Sequence, residues 1–230
     1  MSLSIDVDLG AENPVIRPDS IFPFSRMGGY YLSLVVVRLP VTANQVTTFS
    51  MIVGLSGAAL FLKAAVYWNI LATVLLVFSY MLDYSDGVVA RLKNQSSSFG
   101  AAYDDFVDWI IDTAVFVGLG FGVAASKGND VWMWLGLIAA IGSTVDYGVD
   151  LLRHNRFKKR ENPENSDELT KSEPPKTFKQ TLFYYLHTVS RAEFCFILLG
   201  LALFDVMWLI LPVGAIGAQA FWLGDLFRKR

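Results

Sequence analysis

The stretch AAVYWNILATVLLVFSYML at 64–82 runs for 19 residues without a charge and continues directly into DYSDGVVAR at 83–91. A run of that length and hydropathy reads as a helix crossing a bilayer, since a span needs about 20 apolar residues at roughly 1.5 Å each. Two more uncharged runs, 39–62 (24 residues) and 206–224 (19 residues), reach the same length. The whole chain agrees with them: 230 residues, 53% apolar, 14% aromatic, 17% charged, with a mean hydropathy of +0.43. An average soluble domain carries about 25% charge. The expected fold class is therefore an all-α, polytopic membrane protein, and soluble, disordered and collagenous readings are excluded. The sole cysteine, Cys195, rules out an intramolecular disulfide and a cysteine-based metal centre, and in its apolar run it reads as a small core residue.

Outward from this run, the sequence predicts six spanning helices near 44–62, 68–90, 101–125, 131–152, 182–204 and 206–227. Residues 1–23 are polar, without the basic start and apolar core of a signal peptide. Residues 24–39, too short and too flanked by Arg26 and Arg38 to span, read as an interfacial amphipathic helix ended by Pro40. The domain proper is then 40–230, with a charged, Pro-containing loop at 154–180 that stays in water. Six spans place 16 of the 19 Lys and Arg on one side; only Lys63 and Lys127 fall opposite, and Arg191 lies inside a span. Both termini and both basic loops are thus expected on the cytoplasmic side of the bilayer.

Spans three, four and five have short uncharged parts: 113–126 is 14 residues, 131–145 is 15 and 194–204 is 11. Asp83 and Asp86 close span two, Asp104, Asp105, Asp108 and Asp112 open span three, and Asp146 and Asp150 close span four, all at cytoplasmic ends. A transport pathway would want carboxylates near the midplane with access from both sides. One polar bowl, open to one side, suits chemistry between a water-soluble reactant and a lipid.

Helical spacing puts Asp83, Asp86, Gly87 and Ala90 on one face, and Gly100, Asp104 and Asp108 on another. Two helices joined as a hairpin can aim four carboxylates at one point. Four packed anions need cations, and hard oxygen donors favour magnesium, manganese or calcium. Gly87, Ala90 and Gly100 take side-chain bulk away from the same faces, as a ligand lying against backbone requires.

The pattern D-x2-D-G-x2-A-R-x8-G-x3-D-x3-D, matched at every fixed position from Asp83 to Asp108, resembles that of the CDP-alcohol phosphotransferases. The resemblance implies transfer of a substituted phosphate from a CDP-linked donor to an alcohol, with release of CMP. It implies that Asp83, Asp86, Asp104 and Asp108 hold two divalent ions (Mg2+ or Mn2+). It makes Asp108 the catalytic acceptor of the hydroxyl proton, places Gly87, Ala90, Arg91 and Gly100 in the CDP pocket, and favours a homodimer. Asp105 points about 100° away from Asp104 and is left out. A pair of divalent ions answers the charge on the phosphate oxygens and the departing CMP, and a carboxylate opposite can activate the hydroxyl.

Asn44 and Thr47 open span one where family members carry Pro-Asn-x-x-Thr, with Ala43 here in place of the proline. They read either as nucleotide contacts or, for Asn44 and Thr42, as a plain helix cap. Arg153, Arg156 and Arg191 are acceptor-phosphate candidates, although topology alone also explains Arg153 and Arg156, and Arg191 also suits an ion pair with Glu193. These arginines favour CDP-diacylglycerol as donor with a polar, phosphorylated or unphosphorylated alcohol as acceptor. Transfer from CDP-choline or CDP-ethanolamine to a lipid alcohol is the alternative within the family, and a metal or ion transporter is the alternative outside it. No nucleic-acid motif appears.

Overall fold

In the computed structural model the described residues are 24–153 and 194–227; of residues 24–26, 150, 153, 221 and 224–227 only the backbone is described. The elements are α1 (Phe24–Val36), α2 (Ala43–Leu60), α3 (Val66–Leu92), α4 (Ser98–Lys127), α5 (Val131–Arg153), α6 (Phe194–Leu203) and α7 (Ile210–Phe227), with short 3-10 turns at Phe61–Lys63 and Met207–Leu209. There is no strand among the described residues. Three segments, Ala43–Lys63, Val66–Leu92 and Ser98–Lys127, are long and apolar enough to cross a membrane, while Phe194–Leu203 and Met207–Ala220 are shorter apolar helices. The expected segment 1–23, the loop 154–180 and the start of the fifth span lie outside the described residues.

Local chemistry sets the helix ends. Thr42 caps α2 in a capping box with Gln45, each satisfying the other's backbone N–H. Ser97 caps α4 by accepting from the Gly100 N–H, and Gly128 closes it at φ 62°, a left-handed conformation without penalty for glycine. Asn94, at φ 53°, turns the chain between α3 and α4. That connection is short, so the two helices carrying the acids form an antiparallel hairpin with the acids at its closed end.

In a bilayer, helices associate by close packing more than by the hydrophobic effect, and small residues at the seams permit it. A Cβ on Gly118 or Gly122 would run into the carbonyl oxygens of Ala58 and Phe61, so α4 lies against the backbone of α2 and of the 3-10 turn that follows it. Gly120 of α4 meets Gly136 of α5 in the same manner. Around these seams Phe61, Leu76, Val107, Val115, Leu119, Leu198 and Leu211 form the main core. Helix α3 packs against α1, α2 and α6, α4 against α2 and α5, and α7 against α5. Phe49, Ile52, Leu71, Val74, Phe78, Phe121, Ile138 and Ile141 are exposed. Such apolar faces are out of place in water and suited to lipid. At the end of α4 away from the acids, Lys127 Nζ lies 5.7 and 5.1 Å from the ring centres of Trp132 and Trp208, a cation–π contact that ties the end of α4 to the start of α5 and to the turn before α7.

The N-terminal helix is shorter than the expected 24–39. It stops at Val36, and residues 37–39 form tight turns, with Val37 N–H donating to Ser33 and Arg38 N–H to Val35. It is also packed against protein. Gly28 and Gly29 press on Met81 and Tyr84, Ser85 Oγ lies 3.1 Å from the Gly29 carbonyl, and Tyr30 and Ser33 are buried. Two adjacent glycines without side chains let α1 reach the back of the helix that carries the motif.

Candidate active site

Three helix ends meet at the acids: the start of α2, the end of α3 and the start of α4. Lys93 Nζ donates to the carbonyls of Leu39 and Val41, both at 2.7 Å, and the Gln95 side chain accepts the Ala43 N–H at 2.9 Å. The turn after α3 thereby fixes the first turn of α2. Thr48 Oγ1 and Tyr103 Oη, 2.9 Å apart, tie α2 to α4, and Tyr103 stacks on Phe99.

Within this frame one carboxylate oxygen from each of Asp83, Asp86 and Asp104 lies within 4.8 Å of the others. Asp86 is buried and the other two are half-buried. Thr47 Oγ1 donates to Asp86 Oδ2 at 2.5 Å. Asp83 Oδ1 is a buried oxygen that receives no hydrogen bond from the described residues. A buried anionic oxygen left so beside two more carboxylates is costly unless a cation shares the space. The donors are hard oxygens of the kind magnesium and manganese take, so this triad fits a divalent ion.

Asp108 stands one turn further along α4, outside this triad and exposed. It lines a small pocket with Ser79, Tyr80, Asp83 and Ile111. The hairpin therefore brings three of the four expected acids to one point and sets the fourth beside it, across the pocket from α3. Tyr80 Oη donates to Asp112 Oδ1 at 2.9 Å, tying α3 to α4 beside the pocket. The spacing of the acids gave no signal for Tyr80, because its role depends on which residue of α4 stands opposite.

The expected nucleotide contacts divide. Among the described residues a Cβ at Gly87 would meet only the Arg91 guanidinium, at 3.6 Å, so these residues leave the space over this turn open and flank it with a cation. Ala90 is half-buried and packs on the cluster of Val36, Ala43, Val46, Leu82 and Val89. Gly100 faces Asn44, whose Oδ1 stands 3.3 Å from where a Cβ would be. Asn44 is exposed, whereas Thr47 is 3% exposed and bonded to Asp86. The cap of α2 is Thr42, which leaves the Asn44 side chain out of the capping role. Arg153 is the last residue of α5, while Arg156 and Arg191 lie outside the described residues.

The profile of the family described as CDP-alcohol phosphatidyltransferase matches residues 40–213. Over 114 residues the chain is 29% identical to a phosphatidylinositol phosphate synthase from Streptomyces avermitilis, covering 49% of this chain and 46% of that protein. It is 31% identical over 115 residues to another from Mycobacteroides abscessus, covering 50% and 51%, and 35% identical over 114 residues to an uncharacterized Aquifex aeolicus protein, covering 49% and 54%. The chain spans about half the length of the curated relatives it matches. Its fold is similar to the crystal structure of Mycobacterium tuberculosis phosphatidylinositol phosphate synthase with CDP-DAG bound, at a TM-score of 0.54 and 21% identity, covering 88% of this chain and 94% of that one. With the profile spanning most of the sequence and the aspartate motif inside it, the chain belongs to the CDP-alcohol phosphatidyltransferase family.

Proposed function

We propose that this protein is an integral-membrane transferase that moves the phosphatidyl group of CDP-diacylglycerol to the hydroxyl of a polar, phosphorylated alcohol and releases CMP. The observation that carries this reading is the convergence of Asp83, Asp86 and Asp104 beside the open turn at Gly87. The donor is taken from the structural neighbour, whose crystal holds CDP-DAG, and the acceptor class from the two phosphatidylinositol phosphate synthases. Family membership supports transfer chemistry over the transporter reading.

In this reading the chain has six spans with both termini and the acids at the cytoplasmic face, and works as a homodimer. Asp83, Asp86, Asp104 and Asp108 would hold two divalent ions, magnesium or manganese. Bound there, the ions neutralise charge on the phosphate oxygens and on the departing CMP. The residues do the rest. Gly87 and Ala90 let the nucleotide lie against α3, Arg91, Asn44 and Gly100 border it, and Asp108 takes the proton from the acceptor hydroxyl as that oxygen attacks phosphorus. Arg153, Arg156 and Arg191 bind the acceptor phosphate through charge-assisted hydrogen bonds.

The test is CMP release by the purified protein from CDP-diacylglycerol with magnesium and inositol phosphate, glycerol phosphate, inositol or serine in turn. Release with a phosphorylated alcohol is expected. Turnover only with CDP-choline or CDP-ethanolamine and diacylglycerol would reverse donor and acceptor.

A further inference from the structure

Thr47 sits where the sequence pattern points to a nucleotide contact, but its surroundings assign it elsewhere. It is 3% exposed, and Asp86, its partner, is 6% exposed. A hydroxyl has one proton to donate. Thr47 Oγ1 lies 2.5 Å from Asp86 Oδ2 and 3.1 Å from the Ala43 carbonyl, so the proton goes to the carboxylate, the shorter and charge-assisted bond. We propose that Thr47 is a positioning residue for Asp86: it fixes the plane of that carboxylate for cation binding and does not touch the nucleotide. The proposal rests on the metal-dependent reading above.

The hydroxyl is itself held in place. Gln95, in the turn that follows α3, accepts the Ala43 N–H and anchors the first turn of α2. One turn on, Ser50 Oγ donates to the Thr47 carbonyl, and Ser79 Oγ of α3 donates to the Ser50 carbonyl at 2.8 Å. Helix α2 is therefore tied to α3 above and below Thr47. With Oδ2 of Asp86 bound to a fixed donor, rotation of the carboxylate is restrained, and the group keeps its orientation relative to Asp83 and Asp104. Groups that orient metal ligands in this manner typically contribute 10- to 100-fold in metal affinity. Asn44, exposed and facing Gly100, remains the member of the pair that can reach a ligand.

The experiment is Mn2+ binding to the full-length protein in detergent without nucleotide, followed by electron paramagnetic resonance of the free ion. Alongside it run the magnesium activation constant and the CDP affinity of each variant. Thr47→Val keeps the shape and removes the hydroxyl; Thr47→Ala does so with a better helix former, in case valine disturbs α2. Both should bind Mn2+ about 10- to 100-fold more weakly and need correspondingly more magnesium, while kcat at saturating metal and CDP affinity at saturating metal stay near wild type. Thr47→Ser should restore Mn2+ binding. In an Asp86→Asn background, Thr47→Val should have little further effect, since the two residues act through one bond. Wild-type Mn2+ affinity in a folded Thr47→Val or Thr47→Ala protein, or a loss confined to CDP affinity, overturns the proposal. If the wild-type protein itself binds no Mn2+, the metal reading falls and the proposal with it.

Discussion

Replacing Gly87 with leucine separates the two reasons a glycine can stand in a helix. At Gly118 and Gly122 a side chain would collide with the backbone of α2 and of the 3-10 turn that follows it, so those positions serve packing. At Gly87 a Cβ has, among the described residues, only Arg91 Nη1 nearby, at 3.6 Å, an ordinary contact with the end of a flexible side chain. Leucine is favoured over glycine in a helix interior by about 0.8 kcal/mol. The Gly87→Leu protein should therefore unfold at the wild-type temperature or about 2 °C above it. If CDP lies over this turn, the same side chain fills the space it needs. Overpacking of about 1–3 kcal/mol weakens CDP binding by roughly 5- to 150-fold. Thermal unfolding in detergent and calorimetric titration with CDP read the two effects on one sample, with Gly122→Leu as the control expected to lose stability. A folded Gly87→Leu protein with unchanged CDP affinity would refute the placement of the nucleotide.

Asp104→Asn removes one charge from the triad and should lower both metal affinity and turnover; Mn2+ titration and initial rates check it, and wild-type values would take Asp104 out of the site. Asp108→Asn should keep CDP-donor binding, because Asp108 stands outside the triad, yet lose about 10²- to 10⁴-fold in kcat as expected for a missing general base. Rates and donor binding measured together decide between base and ligand. Arg191→Gln should raise the acceptor KM by about 10- to 150-fold, equivalent to roughly 1.5–3 kcal/mol for one charge-assisted bond, with the donor KM little changed; a defect confined to the donor would move Arg191 to the other substrate.

The sequence shows the helices plainly because their ends are marked chemically. The expected 44–62, 68–90 and 101–125 correspond to α2 with its 3-10 turn, α3 and α4, each flanked by caps, charges or a turn residue. The triad was legible for a related reason: i, i+3 and i+4 spacing fixes which side chains share a face, and the short turn at 93–97 fixes that the two faces meet. Spacing within one helix says nothing about which residue of another helix stands opposite. Thr47 against Asp86, Tyr80 against Asp112 and Gly29 against Tyr84 all depend on how helices pair, and none of these pairs carries a mark in the chain. The same limit applies to Asp108, whose face is right but whose turn puts it beside the triad. For α1, the charge flanks suggest a helix lying at a membrane surface, and its contact with α3 through Gly28 and Gly29 is a separate feature that those flanks do not mark.

Metal-dependent release of CMP is the most direct consequence of the aspartate site. Purified protein stripped with EDTA should release no CMP from CDP-diacylglycerol in the presence of a phosphorylated alcohol, and magnesium or manganese should restore the reaction in full. Undiminished turnover by the metal-free protein would contradict the role given to Asp83, Asp86 and Asp104, and no CMP release with any acceptor under magnesium would contradict the transferase reading itself.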